Sequence, residues 1–496
     1  SGWGAEEDMG GMRRLKGRTA LKLTDIFDGT RLAAGGLKDF ATGLVNPTIR
    51  LGVTGLSRSG KTVFITALVH ALLTSARLPV FEAQARGRIA RCYLEPQPDD
   101  DLPRFSYESH LAALTGADRH WPEGTRRISQ LRLTIEYEPR GLLARNVQGG
   151  KLHLDIVDYP GEWLLDLPLM SQSYSQWSAA TVAASRRLPR LPHAGQWHAH
   201  LATLDPAGAA DEQKALRAAD LFTAYLARCR ENDVALSTLP PGRFLMPGDL
   251  AASPMLSFAP LDIPAGFAAT TGSLAALMER RYDAYVSRVV KPFFFGHFAR
   301  LDRQVVLVDV LSALNAGSAA VADLRTALAG VMDSFRIGAN SIVSTMFGRR
   351  IDRVLFAATK ADLLHHTSHD RLEAVLRMLV SEAASKAEFS GATHDVAALA
   401  AIRATREATV TRGKEELPCI VGIPEAGEKL GNTFDGDTEA AIFPGDLPAD
   451  PDVALSGALE GQFRFVRFRP PHLRELSFPQ IRLDRTIEFL IGDRFA

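Results

Sequence analysis

The sequence predicts an α/β fold built on a mixed, mostly parallel sheet, and three observations predict it. An apolar stretch beginning at Leu51 passes through a glycine-containing loop into a helical pattern, which is a strand–loop–helix unit. Two further apolar segments, 305–308 and 354–358, are each followed by polar residues, as the parallel strands of an open sheet are. Segments 130–137 and 152–157 surround a glycine-containing loop, which predicts an antiparallel hairpin.

Length and composition limit the classes of protein that fit. A chain of 496 residues can bury a large core, and its length alone predicts about two to four domains. The content of 46% hydrophobic and 23% charged residues excludes a disordered or fibrous chain. Basic and acidic residues each number 57, so no net positive field favours nucleic acid, and no nucleic-acid partner is expected. The 3 cysteines lack metal-ligand spacing, and no apolar run reaches the roughly 18 residues of a membrane span, so a reducing, cytoplasmic location is expected.

The loop after the first strand has the pattern of a phosphate-binding loop. Residues 55–62, GLSRSGKT, match G-x-x-x-x-G-K-[ST], in which glycines give backbone N–H groups room to approach a phosphate. Lys61 can place its charge on the β- and γ-phosphates, and Thr62 can offer its hydroxyl to Mg²⁺. A chance match is the alternative, but the strand–loop–helix context favours nucleotide binding. The predicted phosphate contacts are Gly55, Ser57, Arg58, Ser59, Gly60, Lys61, Thr62 and Val63.

A second motif follows the strand at 152–157. Asp158 and Gly161 form a D-x-x-G pattern, in which the carboxylate can hold Mg²⁺ and the glycine N–H can face a γ-phosphate. Glu162 comes next, at the position where a residue that orients an attacking water is expected. We therefore predict that Asp158 is a metal ligand, that Gly161 contacts phosphate and that Glu162 is catalytic.

The strand at 354–358 is followed by a motif for base recognition. Thr359, Lys360 and Asp362 form T-K-x-D, whose carboxylate can accept hydrogen bonds from the N1–H and N2 amino groups of guanine. Adenine offers no such pair of donors, so Asp362 favours GTP, while the stem of Lys360 can pack over the base. A helix start capped by Thr359 is the alternative. The order of motifs along the chain is typical of a Ras-like domain and favours guanine binding.

The remaining base and catalytic contacts are predicted from position in this order of motifs. Gly422 and Ile423 follow an apolar stretch at 418–421 and take the place of the last base-contacting loop, although they depart from the usual S-A-K. Thr125 lies just before the hairpin, where a switch I threonine contacts Mg²⁺ and the γ-phosphate, and a loop threonine without a ligand is the equal alternative. Arg58 is a candidate catalytic arginine.

These motifs together predict a Ras-like P-loop GTPase core that binds Mg²⁺ with GTP or GDP and hydrolyses GTP slowly. A different class is also consistent with the sequence, because Asp309 follows the strand at 305–308 in a Walker-B-like pattern. The alternatives are therefore a P-loop ATPase that uses Asp309 as its acidic metal partner, or a nucleotide-dependent scaffold without turnover. An Asp309 that only caps the following helix fits the same pattern.

Six stretches of the chain resemble a known family, and the resemblance begins at about residue 15. GLSRSGKT, DYPGEW, VVLVDVLSALNAG, TKAD, GIPEAGE and RLDRTIEFLIGDRF are together similar to the YcjX-like stress protein family of bacterial P-loop proteins. The resemblance implies a Ras-like GTPase core with helical additions, located in the cytoplasm and acting as a switch in a stress response.

The predicted domain organisation adds helical and terminal segments to this core. Apolar residues at helical spacing predict helices over 216–229 and 274–289, the second ended by Pro292. A protein partner is expected at the helical insertion or the switch regions, and peripheral contact with the inner membrane and the oligomeric state stay open. The predicted parts are an N-terminal tail and helical segment (1–47), the first half of the core (48–165), an inserted helical domain (166–300), the second half of the core (301–440), and a C-terminal strand and helix packing on the core (441–496).

Overall fold

The central element of the computed structural model is a sheet of 7 strands. The structure describes residues 47–55, 59–124, 127–139, 150–231, 240–250, 253–339, 351–386, 392–412, 415–473 and 477–495. The strands of the sheet are β1 Thr48–Gly55, β2 Ile89–Glu95, β3 Ser129–Tyr137, β4 Gly150–Asp158, β5 Arg303–Val308, β6 Arg353–Ala358 and β7 Thr393–Ala398. Their spatial order in the sheet is β2-β3-β4-β1-β5-β6-β7.

The strand directions confirm the predicted fold class. Strands β4, β1, β5, β6 and β7 run parallel to one another, and β3 pairs antiparallel with β4 as the predicted hairpin. Two strands are additional, because β7 pairs parallel with β6 at one edge of the sheet and β2 pairs antiparallel with β3 at the other. All seven residues of β2 are at least partly exposed. An edge strand of this kind lacks the buried alternation by which strands are recognised in a sequence.

Helices cover both faces of the sheet. The helices are α1 Lys61–Leu73, α2 Glu82–Ala85, α3 Tyr107–Thr115, α4 Tyr174–Ser185, α5 Gly195–Leu201, α6 Glu212–Glu231, α7 Gly242–Leu245, α8 Leu274–Tyr285, α9 Lys291–Gly296, α10 Val310–Ala316, α11 Ser318–Ala339, α12 His369–Lys386, α13 Pro451–Leu455 and α14 Leu483–Ile491. A 3-10 helix over Gly161–Ser171 follows β4, and a π-helical turn over Val286–Val290 follows α8. Within the described ranges, no helix combines the length and hydropathy needed to cross a bilayer.

The segment between β4 and β5 is helical, as its apolar spacing predicts. Helices α6 and α8 confirm two predicted helices, but Pro292 does not end the second one. It lies in the first turn of α9, where a residue without an N–H is tolerated. Trp177 and Phe222 of this segment belong to the same buried cluster as Phe356 of β6. The division of the chain into a separate helical domain stays a prediction.

The last part of the chain differs from the prediction in one respect. Helix α14 packs Ile487 and Leu490 into the core, as predicted. The predicted C-terminal strand corresponds to the alternating Phe and Arg stretch at 462–469, and this stretch is instead an extended segment with one isolated bridge, between Pro424 and Phe468. A separate sheet is formed by β8 Arg406–Arg412, β9 Glu415–Gly422 and β12 Ala440–Ile442, in the order β12-β9-β8. Two short strands, β10 Lys429–Leu430 and β11 Asn432–Thr433, form a hairpin. Of the predicted N-terminal segment, 1–47, residues 1–46 lie outside the described residues.

Candidate functional site

The phosphate-loop motif joins the central strand β1 to helix α1. Gly60 has a φ of 80°, in the left-handed region that favours glycine, and it precedes the first residue of α1. Gly55 is required for a different reason: a Cβ at this position would collide with the hydroxyl oxygen of Ser59. The two glycines therefore permit the tight path of this loop. Ser57 and Arg58 lie outside the described residues.

A cavity of about 760 Å³ opens where the parallel strands end, and its size is in the range of small-molecule sites. Residues from the phosphate loop and from T-K-x-D contribute to its wall, together with Glu162, whereas Asp158 and Gly161 are not among the described lining residues. The predicted site residues that line it are Gly55, Ser59, Gly60, Lys61, Thr62, Val63, Glu162, Thr359, Lys360 and Asp362. The strand register explains this arrangement, because the carboxyl ends of β1, β4, β5, β6 and β7 lie along one edge of the sheet.

A carboxylate suited to Mg²⁺ lies close to the ammonium group of Lys61, and a threonine hydroxyl follows that lysine in the chain. Asp158 ends β4 beside Val53 of β1, is 1% exposed, and has a carboxylate oxygen 3.6 Å from Lys61 Nζ. Thr62 is buried in the first turn of α1. A carboxylate and a hydroxyl are hard ligands of the kind that Mg²⁺ prefers, so Thr62 and Asp158 fit a magnesium site.

The D-x-x-G turn packs directly on the phosphate loop. A Cβ on Gly161 would collide with the carbonyl oxygen of Gly55, so the two backbones approach as closely as only glycine allows. Glu162 is the second residue of the 3-10 helix, and its carboxylate lies 3.3 Å from Arg230 Nη2 of α6. Any group bound beyond the phosphate loop would therefore face the Gly161 turn and the Glu162–Arg230 pair.

The helical segment between β4 and β5 holds the 3-10 helix that follows Gly161. Asp166 accepts a hydrogen bond of 2.7 Å from Gly242 N–H and one of 2.6 Å from the Tyr285 hydroxyl. Burial raises the pKa of Asp166 to about 6, and these two hydrogen bonds oppose that rise. The guanidinium of Arg243 stacks on the ring of Trp163 in the same helix. The 3-10 helix after β4 is thus bonded to α7 and α8, in addition to the ion pair of Glu162 with α6.

The segment that leads to the predicted switch I threonine also reaches the cavity. The Thr62 hydroxyl donates a 3.3 Å hydrogen bond to the carbonyl oxygen of Glu123, and Trp121 and Gly124 line the cavity. Thr125 itself lies outside the described residues.

The T-K-x-D motif follows β6 and lines the same cavity as the phosphate loop. Asp362 is 7% exposed, and its Oδ2 accepts a 2.9 Å hydrogen bond from Ala404 N–H. Burial raises the pKa of Asp362 to about 6. Lys360 has a positive φ of 60° and an Nζ 2.5 Å from Asp309 Oδ2. Thr359 is 7% exposed, and its hydroxyl donates a 3.3 Å bond to the Val308 carbonyl.

Comparison with known proteins places the chain in a family. Residues 49–495 match the YcjX-like family, DUF463. The chain belongs to the YcjX-like family. Its relatives include the "Ras-like GTPase YcjX" of Escherichia coli (strain K12), which is 37% identical over 473 residues, covering 92% of this chain and 99% of the relative. A protein of the same name from Shewanella oneidensis (strain MR-1) is 36% identical over 484 residues, covering 90% of this chain and 94% of the relative.

In this YcjX-like protein Asp309 lines the cavity beside Lys360 and caps a helix. Its carboxylate caps α10 by accepting hydrogen bonds of 3.1 Å from Ser312 N–H and 2.8 Å from the Ser312 hydroxyl, and it pairs with Lys360. The acidic group paired with the phosphate-loop lysine is Asp158 instead. The helix-cap interpretation of Asp309 therefore describes its contacts better than a Walker-B role.

The structure does not place the predicted last base-contacting loop of this YcjX-like protein on the described wall of the cavity. Gly422 ends β9, which belongs to the separate sheet, and neither Gly422 nor Ile423 is among the described residues that line the cavity. The position beside β6 is taken by β7, and the residues that follow β7, 399–402, line the cavity. The order of motifs points to the apolar stretch at 418–421, whereas the first strand after α12 is β7, the neighbour of β6.

Three further lining residues of the YcjX-like protein carry no motif. Trp121 donates a 2.6 Å hydrogen bond from Nε1 to the carbonyl oxygen of Phe468, so the switch I side and the C-terminal segment meet at the cavity. Arg230 comes from α6, far from any motif. An aromatic residue ahead of Thr125 is a weak sequence signal for Trp121, and no sequence pattern points to Phe468 or Arg230.

Proposed function

We propose that this YcjX-like protein binds guanine nucleotides with Mg²⁺, hydrolyses GTP slowly and acts as a nucleotide-controlled switch. One observation carries the proposal: a single cavity is lined both by the phosphate loop, which follows β1, and by Asp362 of T-K-x-D, which follows β6. The relatives named Ras-like GTPase YcjX support it. In the proposed complex, Lys61 and the loop N–H groups hold the phosphates, and Thr62 and Asp158 hold Mg²⁺, which neutralises charge on the phosphates.

The proposed hydrolytic step uses residues at the γ-phosphate end. The N–H of Gly161 contacts the γ-phosphate, and Glu162 orients the attacking water. The position of Glu162 on the cavity wall, directly after the turn that packs on Gly55, supports this role. Thr125 is proposed as the switch I ligand of Mg²⁺, supported by the contact of the nearby Glu123 carbonyl with Thr62.

Asp362 gives the proposed site its preference for guanine. Its Oδ2 is held by Ala404 N–H, which fixes the carboxylate plane at the cavity wall. In that position an ionised carboxylate accepts hydrogen bonds from guanine N1–H and from the N2 amino group. Thr359 and Lys360 frame the same end of the cavity, and Lys360 supplies an aliphatic stem for the base plane.

Nucleotide titration tests the proposal against its alternatives. Isothermal titration with Mg²⁺ is expected to give GTP and GDP affinities at least about 100-fold tighter than that for ATP, because adenine cannot pair with Asp362. Single-turnover assays are expected to release phosphate on the order of 10⁻² s⁻¹ or slower. Tighter binding of ATP would favour the ATPase alternative. Binding without phosphate release would favour the scaffold.

Guanine affinity is expected to decrease in mildly acidic solution. Because the pKa of Asp362 is about 6 and only its ionised form accepts both hydrogen bonds, protonation competes with the base. GDP affinity should therefore fall about tenfold between about pH 7 and pH 5. Titrations of the wild type and of Asp362→Ala across this range measure the effect, since the variant retains only the pH dependence of the phosphates. Equal slopes for the two proteins would contradict a role for this carboxylate.

The biological setting is the part of the proposal that rests on the family resemblance. A role in bacterial stress response, a cytoplasmic location and peripheral contact with the inner membrane belong to it. The hydrogen bonds from Gly242 and Tyr285 to Asp166 support a protein partner at the helical segment, because they join that segment to the turn that would sense the γ-phosphate.

A further inference from the structure

Arg230 brings a positive charge from the helical segment to the phosphate end of the cavity. It lies in the last turn of α6 and lines the same cavity as Gly60 and Lys61. Its Nη2 is 3.3 Å from Glu162 Oε1, and the two side chains are 28% and 11% exposed. A guanidinium in this position lies beside the residue proposed to orient water.

The fold fixes the position of Arg230 through its own helix. Phe222, Leu226 and Cys229 of α6 are at most 1% exposed, so the last turns of the helix are anchored in the core. A second contact fixes the other side of the pair, because a Cβ on Gly242 would collide with the carbonyl oxygen of Glu162. The guanidinium of Arg230 and the carboxylate of Glu162 are thus brought together by packed backbone rather than by two mobile side chains alone.

We propose that Arg230 is a catalytic arginine for GTP hydrolysis, supplied by the chain itself from α6, and that its pair with Glu162 is the resting arrangement. The inference rests on the proposed function, because it requires GTP in the cavity. A γ-phosphate carries more charge than a carboxylate and offers oxygens that match the two-pronged donor geometry of a guanidinium. When GTP is bound, Arg230 contacts the γ-phosphate and releases Glu162 toward the attacking water.

The chemical step is balanced without any additional reactant. The water oxygen forms a bond to the γ-phosphorus, and the bond between that phosphorus and the oxygen bridging to the β-phosphate breaks. The electron pair of the broken bond stays on GDP, and the proton of the water passes to the released phosphate. Negative charge spreads over the γ-phosphate oxygens in the transition state, where the Arg230 guanidinium stabilises it. Phosphate release returns Arg230 to Glu162.

Two substitutions at Arg230 distinguish catalysis from a structural ion pair. Arg230→Ala is expected to lower the single-turnover rate about 30-fold or more, while GDP affinity stays within about threefold. Arg230→Lys keeps a charge that can pair with Glu162 but loses the planar fork, so catalysis predicts that it is nearly as slow as the alanine variant. A purely structural pair predicts that the lysine variant hydrolyses GTP at the wild-type rate.

Binding of GDP with aluminium fluoride gives a second readout, because this complex resembles the transition state. The wild type is expected to form it, and the two Arg230 variants to lose it. Arg228→Ala is the matched control, since Arg228 lies in the same last turn but donates to the His193 carbonyl and to Gln196. Thermal melting confirms that each variant is folded.

The possible failures are separable. A wild type that does not bind GTP contradicts the proposed function itself. A wild type that binds GTP without releasing phosphate contradicts the hydrolytic step and this inference, but leaves nucleotide binding standing. Normal hydrolysis and aluminium fluoride binding by Arg230→Lys would overturn the inference alone.

Discussion

Lys61→Ala is expected to weaken GTP binding by about 100-fold or more. The ammonium group is the charge nearest to the predicted phosphate positions, and hydrogen bonds to charged groups contribute about 1.5–3 kcal/mol each. The substitution also removes the cation 3.6 Å from the buried carboxylate of Asp158, so the free protein loses a positive charge beside that group. Isothermal titration with GTP and GDP measures the loss, and melting without nucleotide measures the effect on stability.

Lys151→Ala is the control for the general loss of a positive charge. Lys151 lies on β4, the strand that ends at Asp158. Its Nζ pairs with Glu136 at 3.0 Å, at the end of the β3–β4 hairpin that is distant from Asp158. We expect this variant to bind GTP as the wild type does, since exposed ion pairs contribute little. An affinity of Lys61→Ala equal to that of the Lys151 variant would mean that the loop does not hold phosphate.

Asp362→Asn is expected to invert the base preference, from guanine to xanthine nucleotides. The structure determines which way the new amide faces. Ala404 N–H donates to one oxygen of Asp362, so the Asn carbonyl oxygen takes over that bond and the NH₂ group turns toward the cavity. This NH₂ can donate to the exocyclic oxygen that xanthine carries, whereas it repels the N2 amino group of guanine. Losing two charged hydrogen bonds predicts an affinity for GTP lower by about 100-fold or more.

Competitive titration of GDP against xanthosine diphosphate measures this change as a ratio of affinities. The control is Asp370→Asn, because Asp370 is exposed and pairs with Arg482 away from the cavity wall. That variant should keep the wild-type ratio. An unchanged ratio in Asp362→Asn would show that the base is read by other residues, and T-K-x-D would then be only a helix start.

The parts of the site that the sequence predicts are those whose geometry is local. The phosphate loop needs glycines at two fixed places, and the collisions that a Cβ would cause at Gly55 and the left-handed φ of Gly60 explain both. Asp158 and Asp362 follow apolar strands directly, so a strand pattern is enough to put them at the same edge of the sheet.

The parts that the sequence does not predict depend on which elements become neighbours. Gly422 follows an apolar stretch at 418–421, but the strand that contains this stretch pairs with β8 and β12 instead of β6. Arg230 reaches the cavity because α6 packs between other helices, and no spacing in the sequence records that approach. The sequence pattern does not predict the exposed edge strand β2, because buried and exposed side chains do not alternate along it.

The two hydrogen bonds on Asp166 have a thermodynamic consequence. Moving the 3-10 helix that begins at Gly161 without its neighbours would break a buried bond to Gly242 or Tyr285, which costs about 1–3 kcal/mol, so a joint movement is favoured. The helices between β4 and β5 then shift together with that 3-10 helix. Linkage is reciprocal, so a ligand that favours one position of these helices changes the nucleotide affinity by the same factor by which the nucleotide changes the affinity for that ligand. The helical segment can thus act as an input as well as an output, and the binding of a partner could be measured as a change in nucleotide exchange.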